Sequence, residues 1–328
     1  MSEKIRLGML RLSDAAPVVA AGKHGIFREH GLDAEIVVEP SWANIADKLG
    51  YGLLEGAVML PPLAIACALG LRGRKTDLVV PMSLSANGNA LTLARKWQSE
   101  LAAGGIKALA SRQKLRLAVV HAYSTHDLLL RYWLAASGVD PDTSVEIKAL
   151  SPSEMVSSLA AGAIDGFCAG APWSHVATRA GLGFEAIKTG DIWRNHPEKC
   201  LALRADFAAG DPARVRLLLT ALREACAYCA MPSHRPALAA LLARPEYLDL
   251  PQDVIETSLD PAEGGPVFSS NYPSPDHAAW FATQMLRWGK VREDALGVAH
   301  GLYRPDLYLA AGGRKPDEVG DVFCDTRN

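Results

Sequence analysis

The 328-residue sequence has no strong charge of either sign, no long apolar run and few cysteines. Basic residues (34) nearly balance acidic ones (36), leaving a formal charge of −2. No extended field exists to draw in nucleic acid or an anionic membrane surface, so any anion must be recognised locally. The longest apolar run, AVMLPPLAIACALGL from Ala57 to Leu71, is broken by Pro61-Pro62 and is too short to span a bilayer. Glu3, Lys4, Arg6 and Arg11 interrupt the first residues, so no apolar signal segment is read there. These features lead us to expect a soluble, cytoplasmic protein with no direct contact to nucleic acid or membrane.

The six cysteines (Cys67, Cys168, Cys200, Cys226, Cys229 and Cys324) are scattered and form no disulfide framework. Cys226 and Cys229 sit in an alanine- and leucine-rich stretch, RVRLLLTALREACAYCA, which reads as a helix rather than a redox or zinc site. Catalytic signatures are missing too. There is no G-x-S-x-G elbow, Walker loop, G-x-G-x-x-G after a strand or H-E-x-x-H, and the nine histidines lack metal-ligand spacing. The expectation is a protein that is not an enzyme and holds no metal or cofactor.

What is present is an alternation of strands and helices. KIRLGML and LDAEIVVE read as strands around the helical AAPVVAAGKHGIFREHG; LEGAVML, DLVVPMSLS and NALTLAR read as further strands. After the polar stretch KWQSELAAGGIKALASRQK the pattern restarts, with LRLAVV, SVEIKAL and GFCAG as strands of a second βαβαβ unit over about 115–187. PEKCLALRADFA is extended, and three helices follow in PARVRLLLTALREACAYCA, RPALAALLAR and DHAAWFATQMLRWG. The tail from Gly313 is polar. This alternation predicts mainly parallel, doubly wound α/β sheets in two lobes with a cleft between them. Aromatic positions over 272–288 are candidates for a partner surface, although packing is the simpler role for Trp280 and Trp288.

One helix start stands out. In YSTHDLLLRYWLAASGVDPD, Ser124 and Asp127 match a capping box, which puts His126 in the first turn. Free N–H groups and the helix dipole make that turn a place for an anion. Other donors fall at strand ends: Trp42 in SWAN, Asn89 with the accessible backbone of Gly88 in SANGNA, and Lys199 in NHPEKC. Taken singly, each has an ordinary structural explanation. Together, with the Thr125 backbone, they predict a donor-rich pocket with one fixed positive charge, suited to a small monovalent oxyanion.

Five segments carry a family resemblance: LSDAAPVVAAGKHGIFREHGL, STHDLLLRYWLAASGVDPD, GAPW, IWRNHPEKCLALRAD and NYPSPDHAAWFATQMLRWG. Over about 5–309 the chain resembles the nitrate- and bicarbonate-binding proteins of ABC uptake systems. The resemblance implies a two-lobed type II periplasmic-binding-protein-like fold, with lobe I from residues 1–94 and 199–328 and lobe II from 95–198. It implies nitrate or nitrite contacts at Trp42, Asn89, His126 and Lys199, with Gly88 and Thr125 as backbone donors. Asn89 departs from the usual glutamine, and Ala171 from a usual acidic residue. The lysine at 199 implies an anion held without the calcium that accompanies an acidic residue there. The absent export signal resembles the cytoplasmic NasS-type sensor branch, which implies an ANTAR-domain antiterminator (NasT-type) as partner.

Overall fold

The computed structural model describes residues 4–316; the rest of the tail, with Cys324, lies outside the described residues. Among the described residues, eleven strands form two sheets. The first contains β1 (Ile5–Met9), β2 (Ala34–Val38), β3 (Gly56–Met59), β4 (Leu78–Asn87), β10 (Pro197–Arg204) and β11 (Pro266–Val267), in the order β11-β4-β10-β3-β1-β2. The second contains β5 (Asn89–Ala94), β6 (Leu115–Val119), β7 (Val145–Ala149), β8 (Gly166–Gly170) and β9 (Gly183–Lys188), in the order β7-β6-β8-β5-β9.

Two βαβαβ units supply the parallel cores, and they are built alike. Arg6 donates from its side chain to Glu55 and Arg116 donates to Asp165, both across 49 residues. Leu7 pairs with Gly56 in one sheet as Leu117 pairs with Gly166 in the other. Each glycine opposes a crowded neighbour: a Cβ on Gly56 would lie 2.4 Å from Leu203, and one on Gly166 2.5 Å from Leu93.

The pairing is less parallel than the alternation implies. β10 runs antiparallel to β3 and β4, and β5 runs antiparallel to β8 and β9. These two strands are the ones that follow a crossing between sheets, so they enter the receiving sheet from the opposite end. Asn87 and Gly88, with φ of 56° and 86°, form the first crossing. The left-handed residues end the β4 ladder, and β5 joins the second sheet six residues earlier than a break at Arg95 implies. The return runs through Asn195, whose φ is 58°, into β10 at Pro197.

The polar stretch between the units is helical, Gln98–Arg112, interrupted at Gly105 where φ is 68°. Strands β9 and β11 have no distinct signature in the sequence. The three carboxyl-terminal helices are Pro212–Ala230, Arg235–Leu242 and Pro275–Arg287. Cys226 and Cys229 lie on the first of them as free thiols. Trp280 and Trp288 are half-buried against the core, and the Trp280 ring lies 4.4 Å from that of Trp193. One apolar cluster joins the sheets, from Trp42 and Leu63 through Leu129 and Trp133 to Phe281. Among the described residues no helix is long and apolar enough to cross a membrane.

Candidate functional site

The start of the helix Thr125–Ala136 is built as the capping pattern requires. Ser124 is extended, with φ −141° and ψ 152°, and its Oγ accepts from Asp127 N at 3.1 Å. The carboxylate of Asp127 pairs instead with Arg131 at 3.1 Å and Lys290 at 3.0 Å, so the reciprocal half of the box is not made. Thr125 and His126 are therefore held in the first turn, both wholly buried. Trp42 occupies the matching place on the other lobe. It opens the helix Trp42–Gly50, capped by Ser41, rather than lying in the loop after β2.

Lys199 and Glu198 arrive on β10. Successive strand residues point to opposite faces, yet these two side chains meet, with Nζ 2.6 Å from Oε1. The register of β10 on β4 slips on both sides of Lys199. Such a bulge re-aims a side chain, and Pro197 ahead of it removes a ladder donor.

The three other expected contacts, Asn89, His126 and Trp42, meet around this pair. Asn89 Nδ2 donates to Glu198 Oε2 at 2.6 Å, His126 Nδ1 lies 3.5 Å from Glu198 Oε1, and Lys199 Nζ lies 5.5 Å from the centre of the Trp42 ring. All four residues are at most 2% exposed. Gly88 stays at the crossing: its carbonyl accepts from Ala171 N at 2.8 Å, and a Cβ there would meet Pro266 at 3.1 Å.

The expected lone positive charge is a correction. Lys199 Nζ is 2.8 Å from Asp14 Oδ2 as well as 2.6 Å from Glu198 Oε1. A wholly buried ammonium is very costly without such partners, so its burial demands the carboxylates that the spacing of donors does not reveal. Burial alone would lower the Lys199 pKa; Asp14 and Glu198 overcome that and raise it. Burial also raises the Glu198 carboxyl, to about 7, against the pull of Lys199. His126 stays neutral, its pKa pushed well down by burial and then by Lys199 and His196. Burial lowers His196 to about 3; its Nε2 is 2.8 Å from Thr189 Oγ1, which donates to Asn89 O at 3.1 Å.

Gly170, the last residue of β8, opens a cradle in this cluster. A Cβ on it would lie 3.3 Å from Asn89 Oδ1, 3.5 Å from Asp14 Oδ2 and 3.7 Å from His126 Nε2. Trp42 Nε1, Thr125 Oγ1, Asn89 Oδ1, Asp14 Oδ1 and both His126 nitrogens are buried with no hydrogen-bond partner among the described residues. Buried polar groups are seldom left so. The set can give hydrogen bonds from Trp42 and His126 to a small planar acceptor beside Lys199. Next to it, a cavity of about 500 Å³ opens between the lobes, lined by Leu10, Arg11, Glu39, Pro40, Pro152 and Trp173. It holds none of the clustered side chains, but its walls are the loops leading into Asp14 and Trp42 and out of Gly170.

Comparison with known proteins agrees with this architecture. The model of the NMT1-like family matches residues 1–243. The nitrate import ATP-binding protein NrtC and the bicarbonate transport ATP-binding protein CmpC of Synechocystis are each 38% identical, over 97% and 88% of this chain. The chain spans only 52% and 46% of their lengths. The nitrate/nitrite binding protein NrtA of Synechococcus elongatus is 32% identical, over 95% of this chain and 79% of its own. The crystal structure of the periplasmic nitrate-binding protein NrtA from Synechocystis PCC 6803 superposes with a TM-score of 0.91 at 26% identity, covering 98% of this chain and 94% of that one. A two-sheet chain with these relatives belongs to the NMT1-like family and is a homologue of the NrtA-type solute-binding proteins.

Proposed function

We propose that the chain binds nitrate or nitrite between its lobes and signals the anion as a cytoplasmic sensor to an ANTAR-type RNA-binding antiterminator of the NasT kind. The observation that carries the anion half is the buried set around Gly170: donors without partners on Trp42 and His126, beside the ammonium of Lys199. Lys199 supplies charge, His126 and Trp42 directed hydrogen bonds, and the indole a flat wall for a planar ion. Asn89 adds an amide. Charge-assisted hydrogen bonds in a site closed to water are stronger than neutral ones, and the helix start adds about 0.3–1 kcal/mol. The sensor half rests on the resemblance to the NasS-type branch.

For a sensor, the anion must favour one lobe arrangement and the partner the other. Nitrate and the antiterminator then oppose each other without sharing a site. The test is calorimetric titration of the desalted protein with nitrate, nitrite and bicarbonate, with and without calcium, followed by release of the bound antiterminator. Trp42→Phe removes one N–H to a charged ligand, worth about 1.5–3 kcal/mol, and should weaken nitrate about 10- to 100-fold. Lys199→Glu should abolish both binding and release; a Lys199→Glu protein that still let go of its partner on nitrate addition would refute the sensor reading. A second reading, the solute-binding part of a nitrate or bicarbonate uptake system, is favoured by the likeness to NrtC and CmpC. Calcium-dependent bicarbonate binding in the same titration would select it.

A further inference from the structure

We propose that the anion enters this site together with one proton, carried by Glu198, and that the proton turns the amide of Asn89 from an acceptor into a donor toward the anion. The inference rests on the anion-binding reading above and deepens it.

The geometry sets the problem. Lys199 lies between two carboxylates, Asp14 at 2.8 Å and Glu198 at 2.6 Å, all at most 3% exposed. With both carboxylates ionised and the histidines neutral, the cluster already carries one net negative charge. A monovalent anion would add a second in a place sheltered from water, where like charges repel strongly. One proton taken up with the anion leaves the net charge of the site unchanged.

The hydrogen bonds point the same way. An ionised Glu198 accepts from Asn89 Nδ2 at 2.6 Å, which leaves the unpartnered Asn89 Oδ1 facing the Gly170 cradle. This orientation opposes an anion. A proton from solvent on Glu198 Oε2 reverses it. The carboxyl O–H now donates to Asn89 Oδ1, and the turned amide offers Nδ2 to the cradle. The His126 ring, with Nδ1 3.5 Å from Oε1, is held neutral by burial and supplies no proton. Lys199 keeps Asp14 and the unprotonated Oε1. No other covalent bond forms or breaks.

The remaining groups around Glu198 do not supply the proton. His196, ahead of β10, has its ring 3.9 Å from Glu198 and is held neutral by burial, with His277 behind it. Burial raises the thiols of Cys168 on β8 and Cys200 on β10. Asp127 is buried and paired with Arg131 and Lys290. Glu198 itself, held near 7 by burial, is placed to exchange a proton near neutrality.

The test is calorimetric titration with potassium nitrate from about pH 6 to about pH 8.5, in paired buffers of different ionisation enthalpy, so that protons taken up per anion are counted. The wild-type protein should take up close to one proton per nitrate at the alkaline end, with affinity falling about tenfold per pH unit there. Glu198→Gln cannot ionise; its amide N–H takes the place of the carboxyl O–H toward Asn89. That variant should bind nitrate with no proton uptake and no slope. Nitrate binding by the wild-type protein with no proton and no pH dependence would overturn the inference and leave the anion reading intact, as would a full slope retained in Glu198→Gln. Should the variant not fold, the wild-type proton count decides alone. No nitrate binding at any pH would overturn the functional reading and this inference together.

Discussion

Glu198 shows how burial decides the chemistry of a single residue. In HPEKC the sequence points to the lysine alone, because nothing local reveals that its neighbour Glu198 turns to the same side. Once Lys199 is seen to be wholly buried, Glu198 and Asp14 become necessary. His126 was readable because its helix start carries a local signal, the Ser124 cap, that needs no tertiary information. The consequence for Glu198 is a pH dependence with a definite sign. Its folded pKa, about 7, is above its ordinary value of 4.5, so the folded state binds more protons between those limits. This carboxyl therefore favours folding at low pH, and its contribution is lost as pH rises from about 4.5 to about 7. Glu198→Gln should then gain on the wild-type protein across that window, by a few kcal/mol at most. Urea unfolding at several pH values checks this; a stability difference that stays flat, or shrinks as pH rises, contradicts the assignment.

At the scale of elements, the two strands that follow a crossing decide where the site forms. Asn89 is the first residue of β5, and Glu198 and Lys199 open β10, so both crossings deliver their first residues to one place. The alternation of strands and helices made the two α/β units legible, along with helices such as Thr125–Ala136 and Pro212–Ala230, but not Trp42–Gly50 or Gln98–Arg112. Pairing partners were not legible, because hydrophobic patterning reports which face of a strand is buried and not which neighbour it bonds. Hence the early entry of β5 into the second sheet, and the antiparallel placement of β10, emerge only from the ladders. Gly88 belongs to this scale. Its φ of 86° costs a side chain about 1–2 kcal/mol, and a Cβ would meet Pro266 at 3.1 Å. Gly88→Ala should lose at least that much stability in urea unfolding. An unchanged midpoint would show that the crossing tolerates a right-handed turn.

Across the whole molecule, the candidate site is shared between lobes: Asp14, Trp42 and Lys199 come from the first sheet's side, and Asn89, His126 and Gly170 from the second's. Direct contacts hold the lobes together around it. Ser13 N donates to Ala171 O at 3.0 Å, and Arg72 lies 3.2 Å from the His121 ring. Lys290 reaches the Ala122 carbonyl at 2.9 Å and Asp127 at 3.0 Å. An anion that touches both sides stabilises this closed arrangement over any open one, which is what both a sensor and a transport receptor require. The central claim is that the anion sits in the cradle beside Gly170. The most direct measurement is a nitrate titration of the wild-type protein against Gly170→Ala, whose added methyl would stand 3.3–3.7 Å from Asn89, Asp14 and His126, tight only against the end of the Asn89 side chain, which need give by a few tenths of an ångström. The account predicts a folded variant with nitrate affinity reduced at least about tenfold, the methyl filling space the anion needs. Undiminished affinity in Gly170→Ala would place the anion elsewhere and contradict the account.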